Sequence, residues 1–175
     1  MPKHSEARLL KDEEKILSIL QTNGTESIDV IAKKCNFSRQ KVWRIIKKLE
    51  NEKILWGYSA IFDEERYQLK HYILMIKRTT NPIDKKLIDE ILSTRLDELG
   101  PGNLVKMEHI EYMNGCFDGI FTFYSKDLIT AKKFCERFQQ RFNQYVASYE
   151  LLEGIFFIRK QMLRNPHLKT QINFL

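Results

Sequence analysis

The stretch NFSRQKVWRIIKKLENEKILWGY, residues 36–58, decides the fold of the N-terminal third of this 175-residue chain. A helix through its first half places the apolar residues on one stripe at the i, i+3, i+4, i+7 spacing: Val42, Ile45, Ile46 and Leu49. The polar residues and one tryptophan fall on nearly the opposite side: Gln40, Trp43, Arg44 and Lys47. The stretch therefore predicts an amphipathic helix with one side buried and the other left for a partner.

The residues upstream predict two further helices and a tight turn. Ser38 is placed to cap the helix just described, and Ser27 to cap a shorter one through SIDVIAKKC. Between them Asn36 can adopt the positive φ that such a turn needs, and Ala32 allows a close helix crossing. An earlier helix is expected from about Asp12 to Thr22. Three helices, the last two joined by a tight turn, indicate a helix-turn-helix unit.

The segment after these helices, KILWGYSAIFD, is rich in β-forming residues and predicts a strand or short wing. The N-terminal third is thus interpreted as a winged helix-turn-helix domain covering residues 1–62, with an N-terminal arm at 1–10.

The charge pattern favours double-stranded DNA as the partner. The chain carries a net charge of +6, and residues 38–48 hold five basic residues and no acid. A helix with exposed polar and basic side chains fits the major groove. Base contacts are predicted for Ser38, Arg39, Gln40, Trp43 and Arg44, and phosphate contacts for Lys34, Lys47 and Lys48. The alternatives are a merely solvated basic surface and, for Trp43, packing against a neighbouring helix.

The remaining two thirds predict strands and helices in the order βαββαβ. KHYILMIKR, LVKMEHIEYM, GIFTFY and ASYELLEGIFFIRK have strand character, and two helical segments lie between them. This order is typical of a ferredoxin-like α+β sandwich, with one antiparallel sheet and two helices on one face. The predicted boundaries are a linker at 63–69, the sandwich at 70–160 and a tail at 161–175. In the second helix, the residues expected to face the sheet are Leu128, Ala131, Phe134, Cys135, Phe138 and Phe142.

The strands YILMI, IFTFY and IFFI are apolar on both faces, although helices can cover only one face of the sheet. Another copy of the chain is the simplest cover for the second face, so a homodimer is predicted. Two helix-turn-helix units related by a two-fold axis would then contact the two halves of a palindromic site.

Composition excludes several other classes. No apolar run approaches the length of a membrane span, and no secretory signal is apparent, so a cytoplasmic protein is expected. Cys35, Cys116 and Cys135 show no disulfide or metal-ligand spacing and are interpreted as buried hydrophobic residues. The sequence contains no nucleophile elbow, phosphate-binding glycine loop or metal motif. No catalytic residue, metal or cofactor is therefore expected.

Three segments resemble the Lrp/AsnC family of transcriptional regulators: DEEKILSILQTNG, the long run IAKKCNFSRQKVWRIIKKLENEKILWGYSAIFD, and the turn GCFD. The resemblance covers about residues 9–159. It implies dimers that assemble further into tetramers or octamers, an effect on the transcription machinery, and regulation by a small effector such as an amino acid. By the same resemblance, Gly115, Phe117 and Asp118 occupy the turn near the effector, although Gly115 and Asp118 can equally serve the turn itself.

Two rival functions remain open at this point. Siroheme decarboxylases share the two-domain architecture, but the chain lacks the signature of that group, and His109 is interpreted as a strand residue at an interface. A protein-binding module that has kept the helix-turn-helix only as an interaction surface is disfavoured by the basic face. The tail runs past the usual end of the family, and Leu168, Ile172 and Phe174 are expected to pack on a neighbouring subunit.

Overall fold

The computed structural model describes the backbone of residues 3–171 and most side chains of residues 7–169. The chain divides into two units. The first holds the residues up to Ile61 together with the segment from Ile158 onward, and the second is Phe62–Phe157. The predicted linker lies in the second unit, where Glu65–Tyr67 forms a short 3-10 helix. None of the described helices is both long and apolar enough to cross a membrane.

The first unit contains the three predicted helices: α1 (Lys3–Leu20), α2 (Ile28–Cys35) and α3 (Arg39–Asn51). Helix α1 begins nine residues before the predicted start, so residues expected to form an arm are helical from Lys3. The apolar sides of the three helices pack together in one core, whose buried members are Ile16, Leu20, Ile31, Ala32, Cys35, Val42, Ile45 and Leu49.

The turn between α2 and α3 is built as the sequence predicts. Ser27 Oγ accepts a hydrogen bond from the Val30 amide, and Ser38 Oγ accepts one from the Lys41 amide. Asn36 ends α2 in the left-handed region, with φ 56° and ψ 48°. These caps satisfy backbone groups that the helix ends would otherwise leave open, so α3 has a defined start and direction.

The predicted strand after α3 is not formed. Residues 56–62 lie in no strand or helix of the described chain, and Trp56 is 93% exposed. The β-forming residues are present, but a strand needs a second strand to complete its ladder of hydrogen bonds. Local sequence signals the tendency to form a strand and not the partner, so of the predicted strand or short wing only the strand alternative was wrong.

The second unit is the predicted ferredoxin-like sandwich. Its strands are β1 (Lys70–Arg78), β2 (Val105–Tyr112), β3 (Gly119–Ser125) and β4 (Val146–Glu153). They form an antiparallel sheet in the order β2-β3-β1-β4. Helices α4 (Lys85–Ser93) and α5 (Leu128–Arg141) connect the strands. Buried residues of the sheet and of both helices form one core, including Tyr72, Leu74, Leu87, Phe121, Phe123, Phe134 and Phe138.

Two residues expected in the interior are exposed. Leu128 was predicted to face the sheet but is 41% exposed, because it opens α5 and lies about 70° from the centre of the buried stripe. Cys116 was predicted to be buried but lies exposed in the turn between β2 and β3. Cys35 and Cys135 are buried as expected.

The sheet face away from the helices is mixed rather than wholly apolar. Ile73, Met75 and Ile120 are half-buried there. Beside them, the Tyr124 hydroxyl donates to Glu108 at 3.1 Å, and His71 Nε2 lies 3.3 Å from the same carboxylate group. Burial and the Glu108 charge raise the pKa of Tyr124 above its usual range.

The tail continues the first unit. A short hairpin pairs β5 (Arg159–Lys160) with β6 (Leu163–Arg164), and α6 (Leu168–Gln171) follows. Leu168 is half-buried, whereas Ile172 and Phe174 lie outside the described residues.

Candidate nucleic-acid interface

The side of α3 opposite its core stripe carries Gln40, Trp43, Arg44 and Lys47, all exposed; we call it the reading face. Trp43 is 53% exposed, so within the described chain it does not complete the core of its own unit. Ser38, which caps the helix, and Arg39 precede this face at the N-terminal end of α3, the end that contacts base edges in helix-turn-helix proteins.

Most of the basic residues that were predicted to contact phosphates or bases form ion pairs within the chain. Their acidic partners lie in neighbouring turns and helices. Arg39 Nε lies 2.6 Å from Asp29, and Lys34 Nζ lies 2.8 Å from Glu26. Among the described residues, Arg44 has no ion-pair partner. Residues 38–48 contain no acid, yet the fold brings acids from outside that segment to the same surface. Arg44 is therefore the basic residue of the reading face that is most available to an incoming ligand.

Lys47 is paired within its own helix. Its Nζ lies 2.7 Å from Glu50, a partner three residues ahead, and this hydrogen bond raises the pKa of Lys47 and lowers that of Glu50. Both side chains are substantially solvent-exposed, and such surface pairs contribute little stability. Lys47 can therefore exchange Glu50 for a phosphate at small cost.

Lys48, also predicted to contact phosphate, is directed toward α1 instead. Its Nζ lies 2.9 Å from the carboxylate of Glu13, a residue only 5% exposed. Lys41 makes a parallel link, with Nζ 2.6 Å from Asp12. These two pairs join α3 to α1 on a flank of the helix, so Lys48 has a structural partner that the sequence did not reveal.

Sequence reasoning missed a concave surface next to α3, which we call the basic pocket. It has a volume of about 410 Å³. Its lining residues come from α1, from the end of α2 and the turn after it, and from α3: Arg8, Lys11, Asp12, Lys15, Cys35, Asn36, Phe37 and Lys41. The signal was present in the sequence, since Arg8, Lys11 and Lys15 are spaced i, i+3, i+7 and so share one side of α1.

Asp118, in the turn that was predicted to contact an effector, has a structural role. Its Oδ2 accepts a hydrogen bond from the Arg78 amide at 2.8 Å, and its own amide donates to the Ile76 carbonyl at 2.9 Å. Gly115 is in neither a left-handed conformation nor a crowded position. The Phe117 ring faces the Lys77 ammonium at 5.4 Å.

Within the described chain, no group of three or more His, Cys, Asp or Glu side chains is placed to hold a metal ion.

Comparison with known proteins places this geometry in context. Residues 13–55 match the family described as winged helix-turn-helix DNA-binding. No curated protein matches the chain. Among solved structures, PH0061 is 21% identical, with a TM-score of 0.70 over 87% of this chain and 96% of its own.

Two further structures are similar over almost the whole chain. An AsnC family transcriptional regulator from Agrobacterium tumefaciens is 18% identical, with a TM-score of 0.66 over 91% of this chain and 97% of its own. The transcriptional regulator NMB0573 from Neisseria meningitidis, solved in complex with L-methionine, is 17% identical, with a TM-score of 0.65 and the same coverage. The two-domain fold of this chain is therefore the fold of AsnC family regulators.

Proposed function

We propose that this protein is a sequence-specific DNA-binding transcriptional regulator of the Lrp/AsnC type. The observation that carries the proposal is the reading face: a capped α3 presents Arg44, which forms no ion pair with the described residues, and a tight turn fixes that helix against α2. The match of residues 13–55 to winged helix-turn-helix DNA-binding domains supports it.

The reading face has the chemistry needed to discriminate bases. Arginine can donate two parallel hydrogen bonds to guanine, and glutamine can bond adenine in the same bidentate way. We assign Arg44, Arg39 and Gln40 to base edges, with Ser38 beside them. Lys34 and Lys47 are themselves about half exposed and pair with carboxylates that a DNA phosphate can replace, so we assign them to the backbone.

A homodimer formed through the second unit would provide two such faces. The sheet face away from the helices presents Ile73, Met75, Ile120 and the exposed Leu152, and a second copy of the chain would remove them from water. The proposed operator is an imperfect palindrome with half-sites about one helical turn apart, or a multiple of it. Further assembly to tetramers or octamers is part of the proposal, as in the family that the sequence resembles.

The proposal includes a small effector, with an amino acid as the first candidate. The L-methionine complex of the Neisseria meningitidis regulator supports this choice of ligand class. Asp118 already accepts a backbone hydrogen bond, so we assign the effector contact at the turn to Phe117. The effector would occupy the open space beside Gly115. The effector would act by changing DNA affinity and hence the access of the transcription machinery to its promoter. We propose a cytoplasmic protein without enzymatic activity.

Three measurements on the purified protein test the proposal. Light scattering at micromolar concentration should give a dimer or a larger assembly, and a monomer would overturn the dimeric part. Fluorescence anisotropy with duplex DNA should show affinity falling by about a thousandfold or more from low to physiological salt if six to ten phosphates are neutralised. Salt-independent binding, or none, would overturn the assignment to DNA. An absorption spectrum with a tetrapyrrole band would favour the decarboxylase alternative.

A further inference from the structure

The basic pocket lies beside the reading face and is not explained by the contacts assigned to that face. It is lined by Lys41, in the first turn of α3, and by four residues of α1. The turn residues Asn36 and Phe37 also line it. A ligand held in the pocket would therefore sit next to the residues assigned to base edges.

The charges around the basic pocket are unbalanced. Its single acid, Asp12, lies 2.6 Å from Lys41 and is neutralised by it. Arg8, Lys11 and Lys15 are exposed, and in the part of the chain that the structure describes none of them forms an ion pair. Like charges three and four residues apart on a helix repel one another. The pocket thus keeps three uncompensated cations together, an arrangement that an anion would stabilise.

The pocket also holds two of its cations in place. The Lys41 ammonium lies 3.8 Å from the centre of the Phe37 ring, and the Lys15 ammonium lies 5.7 Å from the same centre. Attraction to the ring face orients both side chains before any ligand arrives. A volume of about 410 Å³ exceeds the roughly 30 Å³ share of one water many times, so a phosphate group fits with several waters.

We propose that the basic pocket binds a phosphate group, with Arg8, Lys11 and Lys15 as its principal ligands. Under the proposed function, on which this step rests, the phosphate belongs to the DNA backbone flanking the groove that α3 enters. Helix α1 then contributes to affinity at a position that carries no base sequence information. Its contact anchors α3 from the side and fixes the register of the reading face.

The test compares the double variant Arg8→Ala/Lys11→Ala with wild type on the same duplex. Its matched control is Lys132→Ala/Lys133→Ala, which removes the same charge from exposed positions of α5 in the second unit. Removal of one phosphate interaction makes the slope of log K against log salt less steep by about 0.9. For a dimer in which each protomer binds one phosphate through the pocket, the slope should change by about 1.8 and affinity at about 0.15 M salt should fall about thirtyfold. The control should change much less.

A second measurement detects the pocket without DNA. Inorganic phosphate, compared with chloride at equal ionic strength, should raise the melting temperature of wild type and of the control, and not that of Arg8→Ala/Lys11→Ala. If wild type binds DNA but the double variant matches the control in slope and affinity, the inference is wrong while the proposed function stands. If wild type fails to bind DNA but keeps the phosphate shift, the proposed function fails and the pocket remains a phosphate site for another ligand. A double variant that changes only the oligomeric state would assign the pocket to a subunit contact and overturn the inference.

Discussion

Arg44→Ala and Arg39→Ala should weaken DNA binding unequally, because Arg39 is paired with Asp29, whereas Arg44 forms no ion pair with any of the described residues. Loss of a bidentate contact to a base costs about 1–3 kcal/mol, or roughly five- to 150-fold in affinity. The Arg44→Ala variant should lose this full amount of binding free energy. Arg39 must first leave Asp29, and a pair whose side chains are 74% and 60% exposed is worth at most about 1 kcal/mol. Arg39→Ala should therefore reduce DNA affinity by a smaller factor than Arg44→Ala does. The two factors should differ by up to about fivefold.

A third variant, Asp29→Ala, should bind DNA more tightly than wild type. Asp29→Ala releases Arg39 and removes a negative charge beside the DNA, so affinity should rise by up to about fivefold. All three residues are exposed, and the free energy of unfolding should change by less than about 0.5 kcal/mol in each variant. The assay is fluorescence anisotropy with one duplex at fixed salt, accompanied by urea denaturation. Wild-type affinity in both Arg44→Ala and Asp29→Ala would refute the placement of these residues at the interface.

Three further results are expected. Lys48→Ala should lower the midpoint of urea denaturation, since it leaves the buried Glu13 carboxylate without its cation; an unchanged midpoint would show that the link between α1 and α3 is dispensable. Burial raises the pKa of Tyr72 to about 12, so the contribution of Tyr72 to stability should be constant below about pH 10 and fall above it as the unfolded chain loses the proton first. Tyr72→Phe should reduce that fall, and denaturation at pH 8 and 11 would test it. Iodoacetamide should modify the exposed Cys116 in the native protein and spare Cys135, whose pKa burial raises to about 12; mass spectrometry would reveal the reverse order if the burial is wrong.

Local features of the fold were predictable because their causes are local. Ser27 and Ser38 cap helices with amides three residues away, and Asn36 is one of the few residue types that tolerate a left-handed conformation. The helical stripes and the order of strands likewise follow from periodicities of a few residues. These signals were enough to place the reading face on α3.

The features that were missed depend on distant parts of the chain. Lys48 and Glu13 are 35 residues apart in the sequence, and no pattern within α3 predicts their contact. The strand expected after α3 failed for the related reason that composition does not supply a pairing partner. The basic pocket combines α1 with the turn after α2, so its charges become a cluster only once the helices are packed.

The central claim, that α3 recognises a specific DNA sequence, is tested most directly by selecting genomic fragments with the purified protein at physiological salt. The selection should be run in parallel with the double variant Arg39→Ala/Arg44→Ala. Sequence-specific recognition by α3 requires that wild type recover fragments sharing a palindromic site and that the double variant fail to recover them. Recovery of only random fragments by wild type, or of the same site by the variant, would contradict it.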